Sequence, residues 1–233
     1  MSRDSAARTA AGFDLLSPWY DALAWMLLGR GIPASQTRFL GRVMTRRRAL
    51  IAGGGSGRFL MELLDRGFAG RVVNLDVSAA MLERSRRRME RSMPGLVGRV
   101  EFRQGDLRSL VADEGFDLIC THYVLDLFHG EEFERAVRRL DGALQQDGLW
   151  ICSDFAEPRG GRVRRALQAA LLRALYQFFG VVCAVRTRRL PPIRATFRAL
   201  GYVEECYAPS RSDLLWSGVY RKVGDHGKQA VKF

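Results

Sequence analysis

Lysine is nearly absent from this sequence of 233 residues. It occurs only at Lys222, Lys228 and Lys232, whereas lysine and arginine together number 37. The formal net charge of +12 is therefore carried almost entirely by arginine. The arginines are spread over many segments rather than gathered in one tail, which is typical of a solvated surface. Contact with nucleic acid or an anionic membrane is the alternative.

Paired cysteines and metal-type clusters are absent too. Cys120, Cys152, Cys183 and Cys206 lie far apart, and no C-x-x-C pair or His/Cys cluster has the spacing of metal ligands. We therefore expect reduced structural thiols, no bound metal and a cytoplasmic location.

A long uninterrupted apolar run is the third absence. The most apolar stretch, 166–185, contains Arg173 and Gln177, so we predict no transmembrane segment. The first ten residues are polar and the apolar stretch after them carries Asp14 and Asp21, which does not fit a signal peptide. Residues 1–12 are expected to form a frayed terminus.

Alternating strand and helix patterns fill the middle of the chain. With 47% hydrophobic residues, the chain can bury one sizeable core. The alternation is typical of βαβ units and a parallel sheet. Strands are predicted at 49–52, 71–75, 99–103, 116–121 and 149–153, and helices at 58–66, 78–91 and 131–144.

Further helices are predicted on both sides of this region. Ser17-Pro18 begins one that ends near Gly29, and Pro33 begins another that reaches about Arg46. A turn at 147–148 leads into the fifth strand. The patterns after that strand predict a long helix at 162–179, a second helix that ends at Gly201, and a hairpin at the sheet edge.

A glycine turn, "ALIAGGGSGRFLMELLDRG" (49–67), follows the first strand. A dinucleotide fingerprint G-x-G-x-x-G fails, because Arg58 or Ser56 occupies a required glycine position. A phosphate loop fails because no lysine follows the turn. The shorter pattern Gly53-x-Gly55-x-Gly57 remains, and a plain strand-to-helix connection is its structural alternative.

An acidic residue at the end of the second strand supports a ligand-binding interpretation. Asp76 ends the strand in "RVVNLDVSAAML", about twenty residues beyond the turn, where a carboxylate can accept hydrogen bonds from both hydroxyls of a ribose. Ser78 already supplies the predicted cap of the next helix, so a capping role for Asp76 is less attractive.

Together these motifs resemble class I S-adenosylmethionine-dependent methyltransferases, most closely the small-molecule branch that includes ubiquinone and menaquinone biosynthesis enzymes. "YDALAWMLLG" resembles the N-terminal helical cover of that branch, and "LDVSAAMLERS" its ribose-binding strand. The resemblance implies an α/β fold: a Rossmann-like, doubly wound, seven-stranded mixed sheet with an antiparallel edge hairpin, an N-terminal helical cover and a lid helix. One domain spans 1–233, with the cover at 1–46, the cofactor-binding core at 47–154, the lid and substrate helices at 155–200 and the edge hairpin at 201–223.

The resemblance also implies a set of cofactor contacts. Where the family often has Asp or Glu two residues before the first glycine, this chain has Ile51. We therefore expect backbone carbonyls near the turn and the end of the fourth strand to hold the methionine ammonium. The implied contacts with S-adenosylmethionine are Gly53, Gly54, Gly55, Gly57, Asp76, Val77, Asp106, Leu107, Thr121 and Tyr20.

Methyl transfer from a sulfonium mainly requires alignment and exclusion of water, so no obligatory catalytic motif exists. His122, Asp126 and His129, near the end of the fourth strand, are the candidates for proton removal or acceptor contact. A helix-start position is the alternative role of His129. The aromatic residues of 176–179 indicate a small apolar or aromatic acceptor, and the same helix indicates a possible peripheral membrane contact.

The predicted function is methylation of oxygen, carbon or nitrogen on that acceptor. An RNA methyltransferase is disfavoured because "THYV" replaces the N/D-P-P-Y-like stretch after the fourth strand. A non-catalytic methyltransferase-like binding subunit is the other alternative, favoured by Ile51 and opposed by the intact glycines and Asp76. Arg58 opposes a nicotinamide enzyme.

Overall fold

The computed structural model describes residues 3–19, 29–183 and 190–224. They contain one seven-stranded sheet of order β3-β2-β1-β4-β5-β7-β6. The first five strands pair in parallel, and β7 is antiparallel to both β5 and β6. The predicted fold is confirmed. The strands are β1 (Arg48–Ala52), β2 (Arg71–Asp76), β3 (Val100–Gln104), β4 (Phe116–His122), β5 (Leu144–Phe155), β6 (Tyr202–Pro209) and β7 (Leu215–Lys222).

The strand order reverses at β1, which pairs with β2 on one side and β4 on the other. Ala52, the last residue of β1, lies opposite Leu75 on β2 and Thr121 on β4. The carboxyl ends of the three strands therefore meet at one edge. In open α/β sheets this point of reversal is where ligands bind.

Helices cover both faces of the sheet. Leu50 belongs to a core with Trp150 and Phe197, while the next residue, Ile51, belongs to a core on the other face with Phe59. This alternation follows from the pleat of β1. The described helices are α1 (Arg3–Leu16), α2 (Gly31–Thr37), α3 (Arg58–Asp65), α4 (Ala79–Ser92), α5 (Gly130–Ala143), α6 (Arg162–Val182) and α7 (Ile193–Ala199).

The frayed terminus predicted for 1–12 is wrong, because α1 covers most of it. A tertiary contact holds this helix: the Asp14 carboxylate accepts hydrogen bonds from the Ser78 hydroxyl at 2.5 Å and from the Ala80 amide at 3.1 Å. Contacts with residues distant in sequence thus override a weak local signal.

The helix predicted from Pro33 to about Arg46 is shorter than expected. It ends at Thr37, and a short 3₁₀ turn follows at Leu40–Arg42. The turn brings both Leu40 and Val43 to full burial, so packing decides the boundary. Most of the helix predicted from Ser17 to Gly29 lies outside the described residues.

Strand β5 begins five residues earlier than predicted. It runs from Leu144, directly after α5, and the predicted turn at 147–148 is an irregularity inside the strand. Asp147 adopts a left-handed φ of 57°, a conformation that aspartate tolerates better than most residues. The pairing with β4 shifts register at this point, as at a β-bulge.

Candidate active site

The glycine turn between β1 and α3 uses backbone conformations that other residues rarely adopt. Gly53, Gly55 and Gly57 have φ angles of 68°, 54° and 79°. A Cβ added to Gly53 would lie 2.2 Å from Cγ2 of Val124. The turn therefore requires glycine both for its left-handed backbone and for its close approach to the loop after β4.

The glycines differ in what surrounds them. A Cβ on Gly54 would lie 1.8 Å from Oδ1 of Asn74, and one on Gly57 would lie 2.1 Å from Oγ of Ser85. A Cβ on Gly55 would meet no atom within 4 Å. Gly54 and Gly57 thus permit packing of the turn on β2 and α4, whereas Gly55 opens onto empty space.

Asp76 joins this turn to the end of β2. Its Oδ2 accepts a hydrogen bond of 2.7 Å from the Gly55 amide, and its Oδ1 accepts one of 2.9 Å from the Ser78 amide. Burial raises the pKa of this carboxyl, although both backbone hydrogen bonds oppose the rise. Each oxygen keeps a further lone pair, so the fixed carboxylate is able to accept two hydroxyl groups.

A cavity of about 470 Å³ opens at this edge of the sheet. Its walls come from α1, the glycine turn, the carboxyl ends of β2 to β4 and the first half of α5. Many of the predicted site residues line it together: Gly53, Gly55, Asp76, Val77, Asp106, Leu107, His122 and His129.

Asp106 lies at the cavity wall but already has a partner. Its carboxylate caps a short 3₁₀ turn and accepts hydrogen bonds from the Arg108 amide at 2.7 Å and from Nε of Arg108 at 2.6 Å. Burial raises the pKa of Asp106, but the hydrogen bonds from Arg108 outweigh it, so the pKa is lowered. The group is a fixed anion, and any adenine amino group must share it with Arg108.

The two predicted histidines occupy different environments. His122 ends β4, is 7% exposed, and packs its ring at 4.1 Å from the Phe59 ring. Neither ring nitrogen has a hydrogen-bond partner among the described residues, and burial lowers the pKa of His122 to about 3. It is therefore neutral and a weak base. His129 is exposed at the cavity rim, directly before α5.

Asp126 lies behind the cavity wall, beneath α6. It is 2% exposed, and its Oδ2 accepts a hydrogen bond of 3.0 Å from the Tyr176 hydroxyl. Its Oδ1 and the Oδ2 of Asp154, which is 1% exposed, have no partner within the described parts of the chain. Burial raises the pKa of Asp126 to about 6; burial, together with the charge of Asp126, raises that of Asp154 further.

Other predicted contacts lie away from the cavity lining. The Thr121 hydroxyl is buried and accepts a hydrogen bond of 2.9 Å from Nε1 of Trp150. Ile51 is 2% exposed and packs in the core, so no acidic side chain occupies its position. Tyr20 lies outside the described residues. That backbone carbonyls hold the methionine ammonium remains a prediction.

The sequence predicted an N-terminal helical cover at 1–46 but not which of its residues line the cavity. Thr9 and Phe13 of α1 line the cavity, and Met81 of α4 does so beside them. The spacing of Thr9, Phe13 and Leu16 on one helix face was the available signal. In the described ranges, no group of three or more His, Cys, Asp or Glu residues has metal-site geometry, and the four cysteines are free.

Comparisons with known proteins agree with this architecture. Residues 49–148 match the family model described as "Methyltransferase domain". A DhpI–SAH complex has a TM-score of 0.67 at 19% identity over 96% of this chain and 99% of that chain. Burkholderia thailandensis 1,6-didemethyltoxoflavin-N1-methyltransferase has a TM-score of 0.59 at 20% identity over 95% and 89%.

A third structure is a putative methyltransferase of Haloferax volcanii in complex with its Trm112 activator. Its TM-score is 0.66 at 15% identity, over 91% of this chain and 98% of that one. At these identities the structures establish the fold. A search of curated protein sequences found no match.

The sheet order, the glycine turn with its clamped Asp76 and the match over residues 49–148 are those of the class I methyltransferase fold. Residues 49–148 are similar to the methyltransferase domain, a family whose members take the methyl group from S-adenosylmethionine. The resemblance expected from the sequence is confirmed.

Proposed function

We propose that the cavity binds S-adenosylmethionine and that the protein transfers its methyl group to a small-molecule acceptor. The observation that carries this proposal is the Asp76 carboxylate, fixed by the Gly55 and Ser78 amides at the edge of the cavity. Its remaining lone pairs suit the two ribose hydroxyls of the cofactor. The open space at Gly55 leaves room for the methionine part.

The other walls fit the rest of this ligand. Val77 and Leu107 offer apolar surface for adenine, and Asp106 offers an acceptor for its amino group. Thr9 and Phe13 cover the cavity from α1. The structures of DhpI and of the toxoflavin-pathway enzyme contain S-adenosylhomocysteine, which supports the same use of this fold here.

When bound, S-adenosylmethionine supplies an electrophilic methyl group on a sulfonium. The protein has to exclude water, align the acceptor and remove a proton from an acceptor oxygen or nitrogen. Asp126 does not line the cavity, but its neighbours Val124 and Leu127 do, and we propose that Asp126 takes this proton. It is buried, it keeps an oxygen without a partner among the described residues, and its pKa of about 6 is nearer to neutrality than that of His122.

The acceptor is proposed to be apolar or aromatic. Beneath α6, the ring of Phe155 lies 5.2 Å from Tyr123 and 6.2 Å from Tyr176, and Tyr123 also lines the cavity. Such a row of rings favours a flat apolar molecule over a sugar. Tyr176 connects this row to Asp126 through its hydroxyl.

The test is isothermal titration of S-adenosylmethionine and S-adenosylhomocysteine into wild type, Asp76→Asn and Asp117→Asn. Asp117 is a matched control, because its carboxylate also accepts two backbone hydrogen bonds, each of 2.8 Å, from Arg47 and Arg48 at the opposite edge of the sheet. We expect micromolar binding to wild type and to Asp117→Asn. Asp76→Asn should bind about 10- to 100-fold more weakly, because hydrogen bonds to a charged acceptor contribute about 1.5–3 kcal/mol.

Two results would contradict the proposal. One is no binding of either compound to a wild-type protein that unfolds cooperatively on heating. The other is equal loss of affinity in Asp76→Asn and Asp117→Asn, which would mean that general destabilisation, not a ribose contact, weakens binding.

A further inference from the structure

One solvent-exposed face of α6 carries apolar and small residues from one end of the helix to the other, with the polar Gln177 at its border. Six exposed small or apolar residues recur on one face at helical spacing, and the most exposed of them is Val181, at 87%. The face toward the protein buries Gln168, Leu172 and Leu175 instead. The exposed residues, which we call the α6 stripe, are Val163, Leu167, Ala170, Ala174, Phe178 and Val181.

This arrangement differs from an ordinary surface helix, whose outer face is polar. Val163 and Leu167 are 75% and 67% exposed, so the stripe is a continuous apolar strip rather than a scatter of single residues. From Val163 to Val181 the stripe extends over about 27 Å of the helix. A surface of this kind indicates a binding partner.

The charges beside the stripe are all positive. The sequence of α6, RVRRALQAALLRALYQFFGVV, has four arginines and no acidic residue. Arg164 pairs with Asp213 at 2.6 Å. Arg162, Arg165 and Arg173 are exposed and form no ion pair with the residues that the structure describes. At 100° per residue, Arg162 and Arg173 border one side of the stripe and Arg164 the other, whereas Arg165 lies on the side of the helix opposite the stripe.

These charges select among partners. A second copy of the chain packed stripe to stripe would bring Arg162 and Arg173 of both copies together, four arginines without an acidic residue of α6 to balance them. Nucleic acid would satisfy the arginines but not the apolar strip between them. An anionic lipid surface satisfies both, because its acyl region takes the apolar strip and its headgroups meet the arginines.

We propose that the α6 stripe is a docking surface for an anionic lipid bilayer, on which α6 lies parallel to the membrane plane. Two further exposed apolar residues, Leu15 at the end of α1 and Trp19 after it, are 74% and 73% exposed. The end of α1 reaches α6 through Phe13 and Phe179, whose rings lie 6.2 Å apart. Tryptophan at such a position is typical of membrane interfaces.

The experiment is co-sedimentation of the purified protein with large unilamellar vesicles. One set contains equal parts of phosphatidylglycerol and phosphatidylcholine, and the other contains phosphatidylcholine alone. The variants are Leu167→Glu, Val181→Glu, a double change of Arg162 and Arg173 to Gln, and Val111→Glu. Val111 is the matched control, because it is 66% exposed and lies outside α6.

We expect wild type and Val111→Glu to bind the anionic vesicles at least tenfold more strongly than the neutral ones. Each stripe variant and the double arginine variant should lose at least tenfold of that binding while keeping the wild-type melting temperature. Raising the salt concentration should weaken binding as well.

Three results would overturn the proposal: no binding of folded wild type to either vesicle, equal loss of binding in Val111→Glu, or a dimer in light scattering that Leu167→Glu dissociates. The last result would assign the stripe to a second copy of the chain. Because the readout is vesicle binding, it is independent of cofactor affinity.

Discussion

Gly55→Ala and Gly54→Ala, at neighbouring positions, should produce different defects. Alanine at position 55 meets no atom within 4 Å, so its cost is the left-handed backbone at φ 54°, about 1–2 kcal/mol. Reduced entropy of the unfolded chain returns about 0.4–1 kcal/mol. We therefore expect a net destabilisation of about 1 kcal/mol. The added methyl lies in the space proposed for the cofactor, so binding should weaken at least tenfold.

At position 54 the cost is steric. The new Cβ would lie 1.8 Å from Oδ1 of Asn74. Asn74 is fully buried, and its Nδ2 donates a hydrogen bond of 3.3 Å to Oγ of Ser85. Overpacking of this kind costs about 1–3 kcal/mol. Because Oδ1 of Asn74 has no partner in the described residues, the double variant Gly54→Ala/Asn74→Ala should recover part of that loss.

Urea unfolding and calorimetric titration of S-adenosylhomocysteine measure the two effects separately. In Gly55→Ala, the loss of binding free energy should exceed the loss of unfolding free energy. Gly54→Ala should lose more unfolding free energy than Gly55→Ala. Wild-type affinity in a folded Gly55→Ala protein would refute the placement of the cofactor beside this glycine. Failure of the double variant to regain stability would refute the steric account of Gly54.

Two further predictions concern stability. Since burial raises the pKa of Asp126 to about 6, the native protein binds more protons than the unfolded chain between about pH 4 and 6, and this group contributes less stability as the pH rises. In urea unfolding, the free energy of unfolding of Asp126→Asn, relative to that of wild type, should therefore be at least about 1 kcal/mol higher at pH 7 than at pH 4.5. A difference between the two proteins that is independent of pH would contradict the raised pKa. Phe197→Ala, which removes a fully buried ring 4.4 Å from Tyr220 and 4.7 Å from Trp150, should cost about 3–5 kcal/mol, against about 0.5 kcal/mol or less for exposed Val203→Ala. Equal losses in thermal unfolding would show that the ring cluster is not a core.

The middle of the chain was predictable because its signals are local. Glycine spacing, an aspartate at a strand end and alternating apolar patterns identify β1 to β4, the helices between them and the side chains near the cavity. Ser78 caps α4 as expected, accepting a hydrogen bond of 3.0 Å from the Met81 amide. These features depend on neighbours within a few residues, which is what a sequence pattern records.

The remaining features depend on distant contacts. Asp14 stabilises α1 through residues more than sixty positions away in the sequence. The local sequence of the polar N-terminus therefore does not predict this helix, which forms part of the cavity wall. The pattern "THYV" does not show how deeply His122 is buried. Burial lowers the pKa of His122, so the side chain is neutral and a weak base. The pairing of Asp126 with Tyr176 joins two segments fifty residues apart.

The position of β7 has a consequence for synthesis of the protein on the ribosome. It is the last described strand in the sequence, yet it lies between β5 and β6 and pairs with both. Until residues 215–222 have left the ribosome, one edge of β5 has no strand to pair with, and β6 cannot join the sheet because it pairs only with β7. The first five strands can assemble during translation, but the exposed edge of β5 remains open to aggregation until the final insertion occurs.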